Sequence, residues 1–166
     1  MLGKISAKSL CRAGVIAALY VVLSLLLFPF TFGIFQFRLS EALTILPLFF
    51  AESVPALFVG CFITNIFGGG VYDMLIGSFA TLIAAFGTYL AGRYIKNKYL
   101  KFLVGVLCPV IANAFAVPLV FLLSGTAEYA YFIEVLIIGA EELGSAGVFG
   151  GILYFSLNRL LAKKSV

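Results

Sequence analysis

Residues 102–127 read FLVGVLCPVIANAFAVPLVFLLSGTA and contain no charged side chain. About 20 apolar residues in a helix span the hydrocarbon core of a bilayer, which is about 30 Å thick, so this stretch is long enough to cross a membrane. Further charge-free stretches lie at residues 13–37, 53–72, 74–92 and 143–158, and a shorter one lies at 42–51. The last of the long stretches extends back to about Tyr131 if the carboxylates before it lie within a helix. The pattern predicts a polytopic α-helical membrane protein.

The composition of the whole chain agrees with this prediction. Of its 166 residues, 63% are hydrophobic and only 11% are charged, and the mean hydropathy is +1.18. A soluble domain carries about 25% charged residues because it must present a hydrated surface, so the composition excludes a soluble globule. A chain of this length holds about six or seven short-looped crossings, which leaves no room for a soluble catalytic domain. We therefore expect a single all-α integral membrane domain over residues 1–166.

The basic residues predict how the chain is oriented in the cell membrane. They form three clusters, which contain all of the 11 basic residues except Arg38: Lys4, Lys8 and Arg12; Arg93, Lys96, Lys98 and Lys101; and Arg159, Lys163 and Lys164. The positive-inside rule places every cluster in the cytoplasm, so both termini are predicted to be cytoplasmic. An even number of crossings must then separate the first cluster from the second.

Four crossings satisfy that parity, with helices near 9–30, 40–51, 53–68 and 72–94. Two more helices are expected near 99–124 and 131–160, which makes six transmembrane helices in all. Pro29 and Gly33 are expected to close the first helix, and Gly68-Gly69-Gly70 the third. In an alternative with the same parity, residues 40–67 form a re-entrant hairpin, so whether the second helix fully crosses stays open.

Carboxylates gather in the predicted outer half of the chain, where topology does not explain them. Of the 7 acidic residues, Glu52 lies at an inner turn, and the others are Glu41, Asp73, Glu128, Glu134, Glu141 and Glu142. A carboxylate within a membrane segment is costly and normally faces a bundle interior, a cavity or a partner. Arg38 is the one basic residue on the outer side, so it cannot pair with all of them. Internal pairing, for example with Glu41 or Glu141, is one interpretation, and a ligand site is the other.

The glutamates of the last predicted helix outline a possible wall of that site. Glu134 and Glu141 lie at positions i and i+7 and share one helix face, whereas Glu142 is turned by about 100°. Glu141 lies roughly 10 Å deeper than Glu134 at 1.5 Å per residue. The sequence does not decide which of Glu141 and Glu142 faces a ligand. Asn65 and Asn113 are two further buried-looking amides, which either join helices by hydrogen bonds or contact the ligand.

Small residues on the first helix form a second feature. Ala13 and Ala17 lie at positions i and i+4, and Gly14 and Ala18 repeat the spacing one step on. Such a stripe allows another helix to pack closely, either within this chain or in a separate subunit.

Several motifs of enzymes and metal proteins are missing from the sequence. It has no histidine and no paired-cysteine motif, so we expect no metal site. It has no G-x-x-x-x-G-K-[ST] phosphate loop and no G-x-S-x-G or H-E-x-x-H motif. Binding and translocation are therefore favoured over catalysis, and no nucleic-acid partner is expected.

Three stretches resemble the QueT family. They are residues 37–44, FRLSEALT, followed by Leu46-Pro47; residues 77–85, GSFATLIAA; and residues 113–118, NAFAVP. The similarity covers nearly the whole chain in order. The family comprises substrate-binding S components of energy-coupling factor (ECF) transporters, and the resemblance implies that the ligand is a precursor of queuosine, which is a deazaguanine base.

The resemblance implies a six-helix S-component bundle that captures its ligand from outside. It implies partners as well: a shared transmembrane scaffold protein and two ATPases, which would use ATP where this chain binds no cofactor. The stripe at Ala13 and Ala17 matches the family's AxxxA motif for contact with the scaffold. The candidate ligand-binding residues are then Arg38, Glu41, Asn65, Tyr72, Asp73, Asn113, Glu134, Glu141 and Glu142.

The chemistry of a guanine-like base fits these side chains. A carboxylate accepts two adjacent N–H donors side by side, and Glu141 or Glu142 is the candidate acceptor. Asn65 or Asn113 would contact the neighbouring ring atoms, and Phe35, Phe37 or Tyr72 would stack on the ring. If the ligand carries an aminomethyl cation, Glu134, Glu41 or Asp73 would balance its charge.

Two other interpretations stay open. An S component for another vitamin-like ligand, such as a thiamine or folate relative, would have the same architecture. A membrane scaffold protein without a ligand would instead pair its buried charges internally.

Overall fold

The computed structural model describes residues 6–28 and 38–163, and within them the chain forms six helices and no strand. Helix α1 spans Ala7–Leu26, α2 spans Leu39–Leu48, α3 spans Ser53–Gly68, α4 spans Asp73–Tyr94 and α5 spans Lys98–Ser124. Helix α6 runs from 131 to 163 in three consecutive parts: an α-helix at Tyr131–Glu142, a π-helix at Leu143–Phe149 and an α-helix at Gly150–Lys163. The predicted all-α fold of six helices is confirmed. The predicted breaks at Pro29 and Gly33 lie outside the described residues.

Three of the helices are long and apolar enough to cross a membrane. They are Ala7–Leu26, Asp73–Tyr94 and Lys98–Ser124, and α2 and α3 are shorter apolar helices. Large hydrophobic side chains on their outer faces are exposed, among them Leu26, Ile83 and Leu122. Because lipid is as apolar as these side chains, such a surface suits a bilayer and not water. The prediction of an integral membrane protein is therefore confirmed.

The ends of α5 show how the sequence fixes a helix. The side chain of Asn97 accepts hydrogen bonds from the N–H groups of Tyr99 (2.9 Å) and Leu100 (3.3 Å), which would otherwise lack partners at the amino end. At the carboxyl end, Gly125 adopts the left-handed conformation, with φ at 69°. Glycine is favoured there because it has no side chain to clash with the backbone. The predicted span of 99–124 agrees with these ends.

Helix α2 lies at the centre of the bundle and is a 3-10 helix. All of its residues except Leu39 are buried, and it contacts each of the other five helices. Its 10 residues extend about 20 Å at the 2.0 Å rise of a 3-10 helix, which is less than the hydrocarbon thickness of about 30 Å. Helix α2 alone is therefore shorter than the hydrocarbon core is thick, and the even number of crossings expected from the basic clusters requires residues beyond its ends to complete the crossing.

Glycines let two neighbours approach α2 closely. A Cβ added to Gly92 on α4 would lie 2.7 Å from the Cα of Leu48, and one added to Gly105 on α5 would lie 3.0 Å from the Leu48 Cδ1. Two hydrophobic clusters continue this packing. One joins α2 to α1 and α3 around Leu57 and Cys61, and the other joins α2 to α4, α5 and α6 around Ile45.

Candidate ligand-binding site

Glu41 lies in the first turn of α2 and is completely buried. Its Oε1 accepts a hydrogen bond from the hydroxyl of Tyr20 on α1. Its Oε2 is buried as well and has no hydrogen-bond partner among residues 6–28 and 38–163. A buried carboxylate oxygen without a donor is costly, so this atom marks a position where a donor group would be stabilised.

Glu142 repeats this arrangement on α6, directly before the π-helix. Its Oε1 accepts a hydrogen bond of 2.8 Å from Nδ2 of Asn113 on α5, and both residues are buried. Its Oε2 has no hydrogen-bond partner in the described part of the chain. Glu142 also interacts electrostatically with Glu41, and Asn113 interacts with the side chain of Glu41. Because α2 packs against α5 and against the π-helix that follows Glu142, the two carboxylates belong to one buried polar cluster, which also contains the Asn113 amide.

A buried ion pair forms the neighbouring part of the cluster. Nη2 of Arg38 lies 3.2 Å from Oδ2 and 3.5 Å from Oδ1 of Asp73 at the start of α4. Nδ2 of Asn65 on α3 donates a hydrogen bond of 2.9 Å to the main-chain oxygen of Asp73. The structure thus pairs Arg38 with Asp73, whereas the sequence suggested Glu41 or Glu141. Arg38 also interacts electrostatically with Glu41, which connects this pair to the two glutamates.

The charges of this cluster do not balance. Glu41, Asp73 and Glu142 are all buried, and Arg38 is the buried cation beside them in the described residues. Asp73 forms an ion pair with that guanidinium, whereas Glu41 accepts a hydrogen bond from a phenol and Glu142 accepts one from an amide. Two buried carboxylates in one cluster repel each other when both are ionised, so they either take up a proton or require a donor or a cation beside them. The arrangement therefore favours a ligand that brings N–H donors or a positive charge.

Three predicted site residues lie at the edge of this cluster or away from it. Glu134 is buried, and its Oε1 accepts hydrogen bonds from the N–H groups of Glu128 (2.9 Å) and Tyr129 (3.2 Å), which ties the preceding loop to α6. It lies about 12 Å along the helix from Glu142. Glu141 is half-buried beside Glu142, and Tyr72 is 46% exposed. Phe35 and Phe37, the other candidates for ring stacking, lie outside the described residues.

Tyr20 belongs to the cluster but was missed by the sequence analysis, and so was Ser145, which lies near Glu142 along α6. Tyr20 is 1% exposed, and a phenol in an apolar helix usually has a polar partner for its hydroxyl. Ser145 follows Glu142 by one turn, is buried, and its hydroxyl has no hydrogen-bond partner in the two described segments. The sequence did contain a signal for Tyr20, because a phenol in the middle of a charge-free stretch needs a polar partner for its hydroxyl. Its partner, however, is 21 positions away.

The small residues of α1 divide between two faces. Ala13 and Ala17 pack against the core cluster formed with α2 and α3, and a Cβ added to Gly60 on α3 would lie 3.1 Å from the Ala17 oxygen. Gly14 and Ala18 are exposed, and Gly14 has no atom near its missing Cβ. The stripe at Ala13 and Ala17 thus contributes to packing within the chain. Contact of this helix with a separate subunit stays a prediction.

Comparisons with known proteins agree with the resemblance seen in the sequence. A family model described as QueT transporter matches residues 10–159. A protein of Lactococcus lactis subsp. cremoris (strain MG1363), described as queuosine precursor transporter QueT, is 33% identical over 88 residues. That match covers 51% of this chain and 52% of the relative, so it spans about half the length of each. No solved structure matches.

Proposed function

This chain belongs to the QueT transporter family, and from that premise we propose that it is a substrate-binding membrane subunit that captures a queuosine precursor, a deazaguanine base. The family is one of transporters and not of enzymes. One observation carries the proposal: Glu41 and Glu142 each present a buried carboxylate oxygen without a hydrogen-bond partner in the described residues, beside Asn113.

The chemistry of the base supports this site. The guanine-like edge presents adjacent N–H donors, and a carboxylate accepts such donors in charge-assisted hydrogen bonds. We assign that role to Glu142, with Glu41 as the second acid if the ligand carries an aminomethyl cation. Asn113 would contact the carbonyl or ring nitrogen next to the donors. Arg38, Asn65 and Asp73 would close the site on its other side.

Transport itself would require partner proteins. In the proposed cycle, the chain spans the cell membrane with both termini in the cytoplasm and captures its ligand from outside. It then docks on an ECF scaffold subunit with two ATPases. The absence of a phosphate-loop motif from the sequence supports this division of labour, since ATP would be hydrolysed by the partners. The exposed Gly14 and Ala18 next to the Ala13 and Ala17 stripe support α1 as the docking helix.

Titration of the purified chain with a 7-aminomethyl-7-deazaguanine base tests the binding step. We expect Glu142→Gln to weaken binding at least about tenfold, which corresponds to about 1.4 kcal/mol. The matched control is Glu52→Gln, because Glu52 is a carboxylate at the opposite end of the bundle that pairs with Arg12 at 2.6 Å. A wild-type chain that binds no deazaguanine would contradict the proposal. Equal affinities of the wild type and Glu142→Gln would contradict the site.

A second candidate is an S component for another vitamin-like ligand. The paired carboxylate oxygens beside an amide would also suit the donor edge of a pterin or of the aminopyrimidine of thiamine. A thermal-shift screen of purines, pterins and vitamins separates the two candidates, since the true ligand raises the melting temperature most. A third interpretation is that this chain is a structural membrane protein that binds no ligand. Co-purification of the chain with two ATPases and an ECF scaffold subunit would argue strongly against it.

A further inference from the structure

We infer that Tyr20 is a positioning residue of the ligand site, whose hydroxyl holds one oxygen of Glu41 so that the other oxygen is presented to the ligand. The inference rests on the function proposed above. It assigns a role in recognition to α1, the helix for which the sequence suggested only packing or contact with a partner.

The contact itself is well defined. Tyr20 is 1% exposed, and its hydroxyl donates to Oε1 of Glu41, which is 0% exposed. Ser24, one turn further along α1, donates a hydrogen bond of 2.7 Å to the hydroxyl of Ser40, the residue before Glu41. Helix α1 therefore makes hydrogen bonds to the side chains of two consecutive residues at the start of α2, Ser40 and Glu41.

The same arrangement occurs twice in the site. A donor from a neighbouring helix occupies Oε1 of each glutamate: Tyr20 from α1 for Glu41, and Asn113 from α5 for Glu142. In each case Oε2 is buried without a hydrogen-bond partner in the residues that the structure describes. Glu134 also has a buried Oε2 without a partner in these residues, but it lies about 12 Å along α6 from Glu142, whereas Glu41 and Glu142 belong to the cluster that contains Asn113. Occupying one oxygen and leaving the other open suits a pair of acceptors that are oriented for a ligand.

Gly60 on α3 fixes the position of the Tyr20 ring. A Cβ added to Gly60 would lie 2.9 Å from the Cβ of Tyr20 and 3.2 Å from its Cγ. Because glycine has no side chain, the α3 backbone packs directly against the base of the ring, which restricts movement of the ring toward α3. The hydroxyl is therefore held in place at Glu41. Without it, Oε1 of Glu41 would lose a donor and the carboxylate would be free to rotate away from the ligand.

A double-mutant cycle tests this role. Binding of 7-aminomethyl-7-deazaguanine is measured by calorimetry for the wild type, Tyr20→Phe, Glu41→Ala and the double variant. We expect Tyr20→Phe to weaken binding about tenfold in the wild-type background, the size of a hydrogen bond to a charged group. In the Glu41→Ala background it should change binding by less than about twofold, because there is no carboxylate left to orient.

Tyr154→Phe is the matched control. Tyr154 is also 1% exposed, and its hydroxyl donates a hydrogen bond of 2.8 Å to the oxygen of Lys98, among the aromatic rings of Phe49 and Phe102. This substitution removes a buried phenol hydroxyl without touching the proposed site. We expect Tyr154→Phe to lower the melting temperature by as much as Tyr20→Phe does, or by more. Its affinity for the base should stay within about twofold of the wild type.

Each outcome bears on the inference. Unchanged binding in Tyr20→Phe, or an equal loss with and without Glu41, would overturn it and make Tyr20 a packing residue. If Tyr20→Phe does not fold, Gly60→Ala replaces it, because the added methyl would push α1 away at Ala17 and Tyr20 and so move the retained hydroxyl away from Glu41. Normal binding by Gly60→Ala would again overturn the inference. If the wild type binds no deazaguanine, the proposed function fails and the inference fails with it. If the wild type binds, the proposed function holds, and the comparison of the variants then tests the role of Tyr20 by itself.

Discussion

Asn113 and Glu142 join α5 to α6 through a hydrogen bond of 2.8 Å from the amide Nδ2 to the carboxylate Oε1, and both side chains are buried. The sequence left two interpretations of Asn113 open, a bond between helices and contact with a ligand. The structure shows the bond between helices. It also places the Asn113 amide beside both glutamates, so the two interpretations do not exclude each other.

We expect Asn113→Ala to weaken both the fold and binding. Loss of the amide leaves Oε1 of Glu142 without its donor, which costs about 1–3 kcal/mol for a buried acceptor. Calorimetry with the deazaguanine base should show an affinity reduced about tenfold. Thr88→Val is the control, because it removes a different buried bond between helices, from the Thr88 hydroxyl to the Gly105 oxygen at 3.1 Å. That variant should lose stability and keep its affinity, and a parallel loss of affinity in both variants would argue against a special role for Asn113.

We expect the pair of Arg38 and Asp73 to respond to substitution as a unit. Arg38→Met removes one partner of a buried pair and should cost about 3–5 kcal/mol, because Asp73 then remains buried and unpaired. The double variant Arg38→Met with Asp73→Asn should recover part of that loss. Thermal or denaturant unfolding in detergent measures both effects. Arg12→Met is the comparison: its pair with Glu52 is only partly buried, with side-chain exposures of 34% and 19%, so its loss should cost less; fully exposed pairs contribute about 0–1 kcal/mol. Equal costs for the two arginines would contradict the prediction.

Glu134→Gln should leave ligand affinity within about twofold of the wild type. Oε1 of Glu134 accepts hydrogen bonds from the N–H groups of Glu128 and Tyr129. A glutamine side-chain oxygen at the same position can accept the same hydrogen bonds. Glu134→Ala should lower stability by about 1–3 kcal/mol, since both N–H groups lose their acceptor. Melting curves and calorimetry on the two variants separate these effects. A tenfold loss of affinity in Glu134→Gln would instead place this carboxylate at the ligand.

Gly92→Ala should destabilise the bundle, whereas Gly14→Ala should not. A methyl at position 92 would lie 2.7 Å from both the Cα and the main-chain oxygen of Leu48, so α4 and α2 would have to separate. A methyl at position 14 meets no atom within 4 Å. Melting temperatures of the two variants test this contrast. The larger Gly14→Leu should still bind the base but lose co-purification with the proposed scaffold subunit, and retained co-purification would contradict docking through this face of α1.

The helices could be predicted because the signals that start, continue and end a helix are local in the sequence. Charge-free stretches, caps such as Asn97 and breakers such as Gly125 act within a few residues of one another, so their effect can be read along the chain. The 3-10 geometry of α2 could not be predicted, because α2 is buried against five other helices and its local sequence contains no signal for that geometry. Its residues are apolar enough for any kind of buried helix.

The site could be predicted only as a set of residue types. A buried carboxylate needs a partner, but its position in the sequence does not say which partner. Arg38 pairs with Asp73 from 35 positions away, and Glu142 meets Asn113 from 29 positions away. The 100° turn between Glu141 and Glu142 showed that the two face different surroundings. The arrangement of α5 and α6 was needed to decide that Glu142 meets Asn113.

The π-helix at Leu143–Phe149 sets the angular phase between the two halves of α6. Hydrogen bonds to the fifth residue widen the turn, so the helix after it is rotated relative to a continuous α-helix. The half before it directs Glu142 toward Asn113. The half after it brings Gly150 to α2, where an added Cβ would lie 3.4 Å from the Ala42 oxygen. A deletion or insertion of one residue in this segment would turn one half by about 100° against the other. Helix α6 could then keep its contacts with either α5 or α2 but not with both, although no contact residue had been replaced.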